Sequence, residues 1–204
     1  MPSTKKQATV IPTIDCNLVV IRTGSGDDIT EIAVDTASKV GVQTQTETTD
    51  AIKLVKLGKL IAQKPATTTI TGTQITLTDN VFTPELVKVL QGGTLTGTGT
   101  AMTYTPPVAG SNDKGQVFEI DLYSAVYDAS GQITMYEKTT FPNCQGTPIN
   151  IDREDDTFSV AEYTINSAPK SGEAPYKIAY VTTLPTGFTE AQQDMVDETV
   201  PVVY

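Results

Sequence analysis

Polar and apolar residues alternate with a period of two through much of the chain, the spacing of half-buried strands. Val117, Glu119, Asp121, Tyr123 and Ala125 fall on one face of an extended segment. Phe118, Ile120, Leu122, Ser124 and Val126 fall on the other, and this second face is the expected core side. Thr157–Ile165 alternates through Phe158 and Val160, with a smaller apolar contribution from Ala161. Ile70, Ile75 and Leu77 keep an imperfect alternation around Gly72, which reads as a β-bulge. The same reasoning predicts strands near Cys16–Arg22, Glu31–Asp35, Val42–Thr48, Ala51–Lys56, Lys59–Gln63, Thr69–Thr78, Gln116–Tyr127, Ile133–Phe141, Thr157–Ser167 and Tyr176–Leu184. Turn signals separate them, among them Gly24-Ser25-Gly26-Asp27, Leu57-Gly58, Asp128-Ala129-Ser130-Gly131 and Lys170-Ser171-Gly172-Glu173. Abundant threonine agrees, since β-branched residues favour strands. The predicted class is all-β: an antiparallel sandwich or barrel with one short flanking helix and a protruding long β-hairpin.

One stretch carries the helical period instead. Thr83 suits a cap, Pro84 the first helical position, and Glu85 the positive end of the helix dipole. Leu86, Val87, Val89 and Leu90 form an apolar stripe, and Gly92-Gly93 ends it. Leu86 and Leu90 are the residues expected to pack the helix on the strands. Residues 104–111 read as a long loop. A single domain is expected over residues 1–204, with an N-terminal extension of about 1–14. Residues 185–204, with Pro185, Gly187, Pro201 and clustered acids, read as a C-terminal arm.

Charge divides the chain. Residues 1–109 carry nine Lys/Arg and nine Asp/Glu; residues 110–204 carry five and fifteen, so the net charge of -10 lies wholly in the second half. An acidic surface repels nucleic acid and anionic membranes at long range. The chain has no His, which removes Ser-His-Asp and Cys-His catalysis and all His-based zinc sites. Two cysteines, Cys16 and Cys144, do not make a disulfide scaffold. No apolar run approaches the ~20 residues that cross a bilayer as a helix. The first residues, Met1-Pro2-Ser3-Thr4-Lys5-Lys6-Gln7, have no apolar stretch after them, so synthesis and retention in the cytoplasm are expected, with both thiols reduced.

Few motifs suggest chemistry. Asp152-Arg153-Glu154-Asp155-Asp156 is the densest acidic run, but an EF-type calcium loop wants Gly where Thr157 stands, and a solvated acidic turn is the simpler reading. Gly24-Ser25-Gly26 lacks the third glycine and the helix of a dinucleotide site. No cofactor and no catalytic residue is expected. Ala51–Lys64 is more distinctive. It reads as a hairpin turning at Leu57-Gly58, with Lys53, Lys56, Lys59 and Lys64 set among apolar residues. Two readings fit it: lysines guarding an exposed strand edge, or a hairpin that docks on an acidic neighbour.

Several segments resemble the tail tube proteins of tailed phages of Gram-positive bacteria. They are Ile75–Gly93, Leu122–Gly131, Tyr136–Pro148 and Ala168–Tyr176, and the resemblance covers roughly residues 30–185. It implies a β-sandwich with one flanking helix and a long hairpin that contacts neighbouring subunits. It implies hexameric rings stacked into a tube through which the genome leaves the capsid. The implied partners are other copies of the chain, tape-measure, tail-terminator and tail-tip or baseplate proteins, and a sheath where the tail is contractile. DNA would pass transiently and without stable binding. The implied location is the virion, after assembly in the host cytoplasm. An acidic bore suits such a conduit, because DNA carries a charge every ~1.7 Å of axis and attractive contacts would add to a large friction. Asp152, Glu154, Asp155 and Asp156 are the candidate bore-facing acids. The alternative is a secreted or surface β-sandwich binding module, an adhesin or carbohydrate binder. It would be expected to show a leader or an aromatic platform, and this chain has no Trp and only 6% aromatic residues.

Overall fold

The computed structural model describes residues 11–24, 28–97, 101–112, 114–149, 155 and 160–188. In chain order the elements are β1 (Thr13–Thr23), β2 (Thr30–Val34), β3 (Ala37–Thr49), β4 (Ile52–Lys56), β5 (Lys59–Lys64) and β6 (Thr67–Asp79). Then come α1 (Pro84–Gln91), β7 (Thr94–Thr96), β8 (Thr103–Thr105), β9 (Phe118–Tyr127), β10 (Ile133–Gly146), β11 (Ala161–Ser167) and β12 (Lys177–Val181). Among the described residues the fold is all-β with one helix, as the sequence pattern predicts.

Eight strands form one antiparallel sheet in the order β2-β1-β9-β10-β11-β6-β3, with β12 also paired to β10. The edge strands β2 and β3 are joined by only Asp35 and Thr36, and β1 comes close to β3. The sheet therefore coils back on itself, with its two edges near one another and, among the described residues, no ladder between them. β10 makes this possible. Its first half pairs with β12, whereas Cys144–Gly146 pairs with β11. The change falls at Pro142-Asn143, where the ladder to β9 shifts register and Asn143 takes a φ of 50°. A proline with no N–H to give is tolerated at such a bulge. The sequence reading ended this strand at Phe141; the bulge carries it on to Gly146.

The inner face of the sheet holds the main core. Ile21, Ile75, Leu77, Ile120, Phe141, Tyr163 and Ile165 are buried there against Leu86, Val87 and Leu90 of α1. Each such side chain contributes about 1.5–3 kcal/mol by leaving water. Thr83 has the extended backbone of a cap but makes no side-chain cap bond, contrary to expectation; the first turn closes through the Val87 N–H to the Thr83 carbonyl at 3.1 Å. Gly92, at φ 86°, ends the helix and donates its N–H to the Lys88 carbonyl. Two further glycines seat α1. A Cβ on Gly146 would lie 2.6 Å from Leu90 Cα, and one on Gly115 would lie 2.1 Å from the Leu90 carbonyl oxygen.

The outer face is also partly covered, which corrects the assignment of only the Phe118 face of β9 to the core. Leu18, Val20 and Tyr123 are buried beneath Val181, Leu184 and Phe188. The first residues of the expected C-terminal arm thus lie on β1 and β9. In the predicted alternation of Thr157–Ile165, Val160 is exposed and precedes β11, and Phe158 lies outside the described residues. The buried positions of β11 are Tyr163, Ile165 and Ser167. In β6 Ile75 and Leu77 are buried as expected, Ile70 is exposed, and the register shift falls beside Gly72.

Candidate assembly surface

β3 and β6 start inside the sheet and run out of it. From Gln43 to Thr49 and from Thr67 to Ile70 every residue is exposed, although the two strands stay paired throughout. β4 and β5 prolong this arm as a separate ribbon that, among the described residues, pairs only with itself. Asp50-Ala51 and Pro65-Ala66 make the break between the two ladders. Alternation and turn chemistry fold the ribbon; no packing against the body does, since all its residues are exposed.

The tip departs from local rules. Leu57 and Gly58 both take positive φ, 50° and 73°, as a two-residue hairpin turn matched to strand twist requires. Glycine accepts that conformation freely; leucine does not. Leu57 is also 93% exposed, so an apolar side chain stands in water on strained backbone. Next to it Lys56 pairs directly with Lys59, a like-charge pair that destabilises a ladder. The pairing Ile52↔Lys64, Leu54↔Ala62 and Val55↔Leu60 leaves both faces of the ribbon a mixture of apolar groups and lysine. Among the described residues, none of the four lysines forms an ion pair.

The structure places Lys53, Lys56, Lys59 and Lys64 together on this ribbon, and Leu86 and Leu90 on the buried face of α1, in the core. Of the candidate bore acids, Asp155 is described and exposed; Asp152, Glu154 and Asp156 lie outside the described residues. The sequence reading missed a charged cluster on the outer face. Asp121, 1% exposed, accepts from Lys138 Nζ at 2.8 Å, Arg22 Nη2 at 3.1 Å and Thr140 Oγ1 at 2.5 Å. Arg22 also reaches Glu31 at 2.8 Å and Glu119 at 2.6 Å. The hydrogen bond to Glu31 leads in holding the Arg22 guanidinium above its ordinary value, against burial. At Lys138 burial pulls the value down, and the hydrogen bond and charge of Asp121 outweigh it, so the ammonium is held up. Lys138 Nζ also lies 5.6 Å from the centre of the Tyr123 ring. Three carboxylates and two cations thus face one another and tie β1, β2, β9 and β10 side by side. Their signal in the sequence was Asp121 on an alternating strand, but the cations come from residues 22 and 138.

Among the described residues no group of three or more Cys, Asp or Glu converges as a metal site, and no helix is long and apolar enough to cross a membrane. Cys16 and Cys144 are unbridged. A shallow cavity of about 310 Å³ lies between Val117, Gln145 and Asn166, with no ionisable side chain on its wall.

No family model matches the chain, and no curated protein matches it. Solved structures that it resembles include the tube-terminating cap of the anti-feeding prophage, at 12% identity and a TM-score of 0.40, over 88% of this chain and 97% of that one. The 6-fold symmetrised baseplate of the anti-feeding prophage gives 7% identity and a TM-score of 0.37, over 86% and 97%. The sheath–tube complex of an extracellular contractile injection system, PVC, in its extended state gives 14% and 0.34, over 83% and 92%.

Proposed function

We propose that this chain is a structural subunit of a phage tail or tail-like particle, and that it stacks as hexameric rings into the tube that conducts DNA. One observation carries the reading: the ribbon β4–β5, which leaves the body with Leu57 strained and exposed at its tip. Backbone strain, a bare leucine and opposed lysines each cost the lone subunit stability. A neighbour that covers the leucine and answers the lysines with carboxylates turns all three to use. A contact between a protrusion on one copy and a different surface on the next is heterologous, and such contacts make rings or stacks. The sequence resemblance to tail tube proteins and the excess acid of the second half support the same role. On this reading the chain is not an enzyme. Its partners are other copies and the proteins that start, cap and surround a tail.

The experiment is a deletion. Replacing Lys53–Gln63 by a short turn removes no buried residue. The variant is expected to remain folded and soluble by circular dichroism. In sedimentation and negative-stain images it should stay monomeric at concentrations where the intact chain forms rings or tubes. Unimpaired tubes from the deleted chain would refute the assignment.

A further inference from the structure

We infer that the occupant of the β4–β5 ribbon is the segment of residues 189–204 from a second copy of the chain. This rests on the stacking reading above and names the surface that the ribbon meets. The ribbon and the segment match in charge. Residues 51–64 hold four lysines and no acid; residues 189–204 hold Glu190, Asp194, Asp197 and Glu198 and no base. They match in apolar character too. Ile52, Leu54, Val55, Leu60 and Ile61 are exposed on the ribbon, and the segment closes on Val200-Pro201-Val202-Val203-Tyr204. Among the described residues both outer edges of the ribbon are open, because β4 and β5 pair only with each other. An open edge accepts an added strand through main-chain hydrogen bonds, with side chains giving specificity.

Length and position fit as well. Sixteen residues can reach about 50 Å when extended at ~3.3 Å each, against roughly 20 Å for one strand of the ribbon. The segment follows Phe188, which packs with Leu184 over Leu18 and Tyr123 of β1 and β9. The ribbon continues β3 and β6, at the other end of the strand order. Each copy therefore offers the two halves of the contact from different strands, as a repeating stack requires.

Charge reversal on exposed positions tests this in the full chain. One variant carries Lys53→Glu, Lys56→Glu, Lys59→Glu and Lys64→Glu; the other carries Glu190→Lys, Asp194→Lys, Asp197→Lys and Glu198→Lys. Each variant alone sets like charges against like. Each is expected to need at least about tenfold more protein than the natural chain to associate in sedimentation velocity at low salt. An equal mixture restores opposite charges at every contact and should associate as the natural chain does. Rescue by mixing supports the inference. If all eight reversals in one chain restore association but mixing does not, the segment folds onto its own ribbon and the second copy is overturned. If the second variant alone associates normally, the segment is not the occupant, while stacking stands. A natural chain that stays monomeric at every concentration overturns both readings.

Discussion

At the scale of single residues, burial decides the chemistry more than residue type does. Cys144, on β10, is fully buried, and burial pushes its thiol up from 9.0 to about 12. Burial likewise lifts Tyr163 to about 12 from 10.0. Both groups keep their protons in the folded chain at pH values where the unfolded chain has lost them. Stability is then fully present below pH 9 and falls as pH rises towards 12, at about 1.4 kcal/mol per pH unit for each group in its window. Denaturant unfolding from pH 8 to 11.5 should show the decline. Cys144→Ala should reduce the slope between 9 and 10, where Tyr163 does not yet act, and leave the part due to Cys16, whose thiol burial also raises. A thiol reagent should leave Cys144 untouched in the native state. Asp121 is the opposite case, a buried charge kept by its partners. Asp121→Ala leaves Lys138 and part of Arg22 without a counter-charge and should cost about 3–5 kcal/mol in the same unfolding experiment. A loss under 1 kcal/mol would mean that Glu31 and Glu119 suffice. The sequence showed Phe118 and Ile120 as core residues because their neighbours alternate with them. It did not show Tyr123 and Asp121 as buried, because Tyr123 is covered by residues near 181–188, some sixty positions away, and Asp121 is held by Arg22, Lys138 and Thr140 from other strands.

At the scale of elements, the alternating strands and the helix were legible, and the pieces set by contact were not. β7 and β8 are three-residue strands in a threonine- and glycine-rich stretch with no readable period; Tyr104 holds them to α1 by donating to the Gly92 carbonyl at 2.9 Å. The seating of α1 on Gly115 and Gly146 was equally silent, since a glycine in sequence reads as a turn before it reads as room for a neighbour. Leu86→Ala or Leu90→Ala should cost about 2–5 kcal/mol by opening a cavity. Gly146→Ala adds one methyl and should also destabilise, by about 1–3 kcal/mol, because Leu90 already fills its place. The hairpin tip predicts an effect of unusual sign. Asn tolerates positive φ and prefers water, so Leu57→Asn should stabilise the isolated subunit slightly, by up to about 1 kcal/mol. The same change should weaken association. A tip that served only as a turn would gain stability and lose nothing in assembly.

At the scale of the whole molecule, the division of charge sets what the proposed stacking would have to use. The first half is neutral as a sum, yet it concentrates four lysines on one exposed ribbon, and the second half carries the entire excess of acid. The arithmetic was visible from the sequence; that the lysines stand clear of the body needed the fold, because β4 and β5 could equally have joined the sheet. Attraction between ribbon and acid acts across water and is screened by salt, over about 8 Å at physiological ionic strength and about 3 Å at 1 M. Burial of Leu57 and its apolar neighbours is instead strengthened by excluded salts such as sulfate. The two contributions therefore respond with opposite signs. Raising sodium chloride from 0.05 to 1 M should raise the protein concentration at which rings or tubes form by about tenfold or more if lysine–carboxylate contacts dominate. Ammonium sulfate at the same ionic strength should recover part of that loss in the natural chain and less of it in Leu57→Asn. Light scattering across a concentration series reads both. Association indifferent to chloride would remove the electrostatic half of the contact and leave the apolar tip to carry the stack.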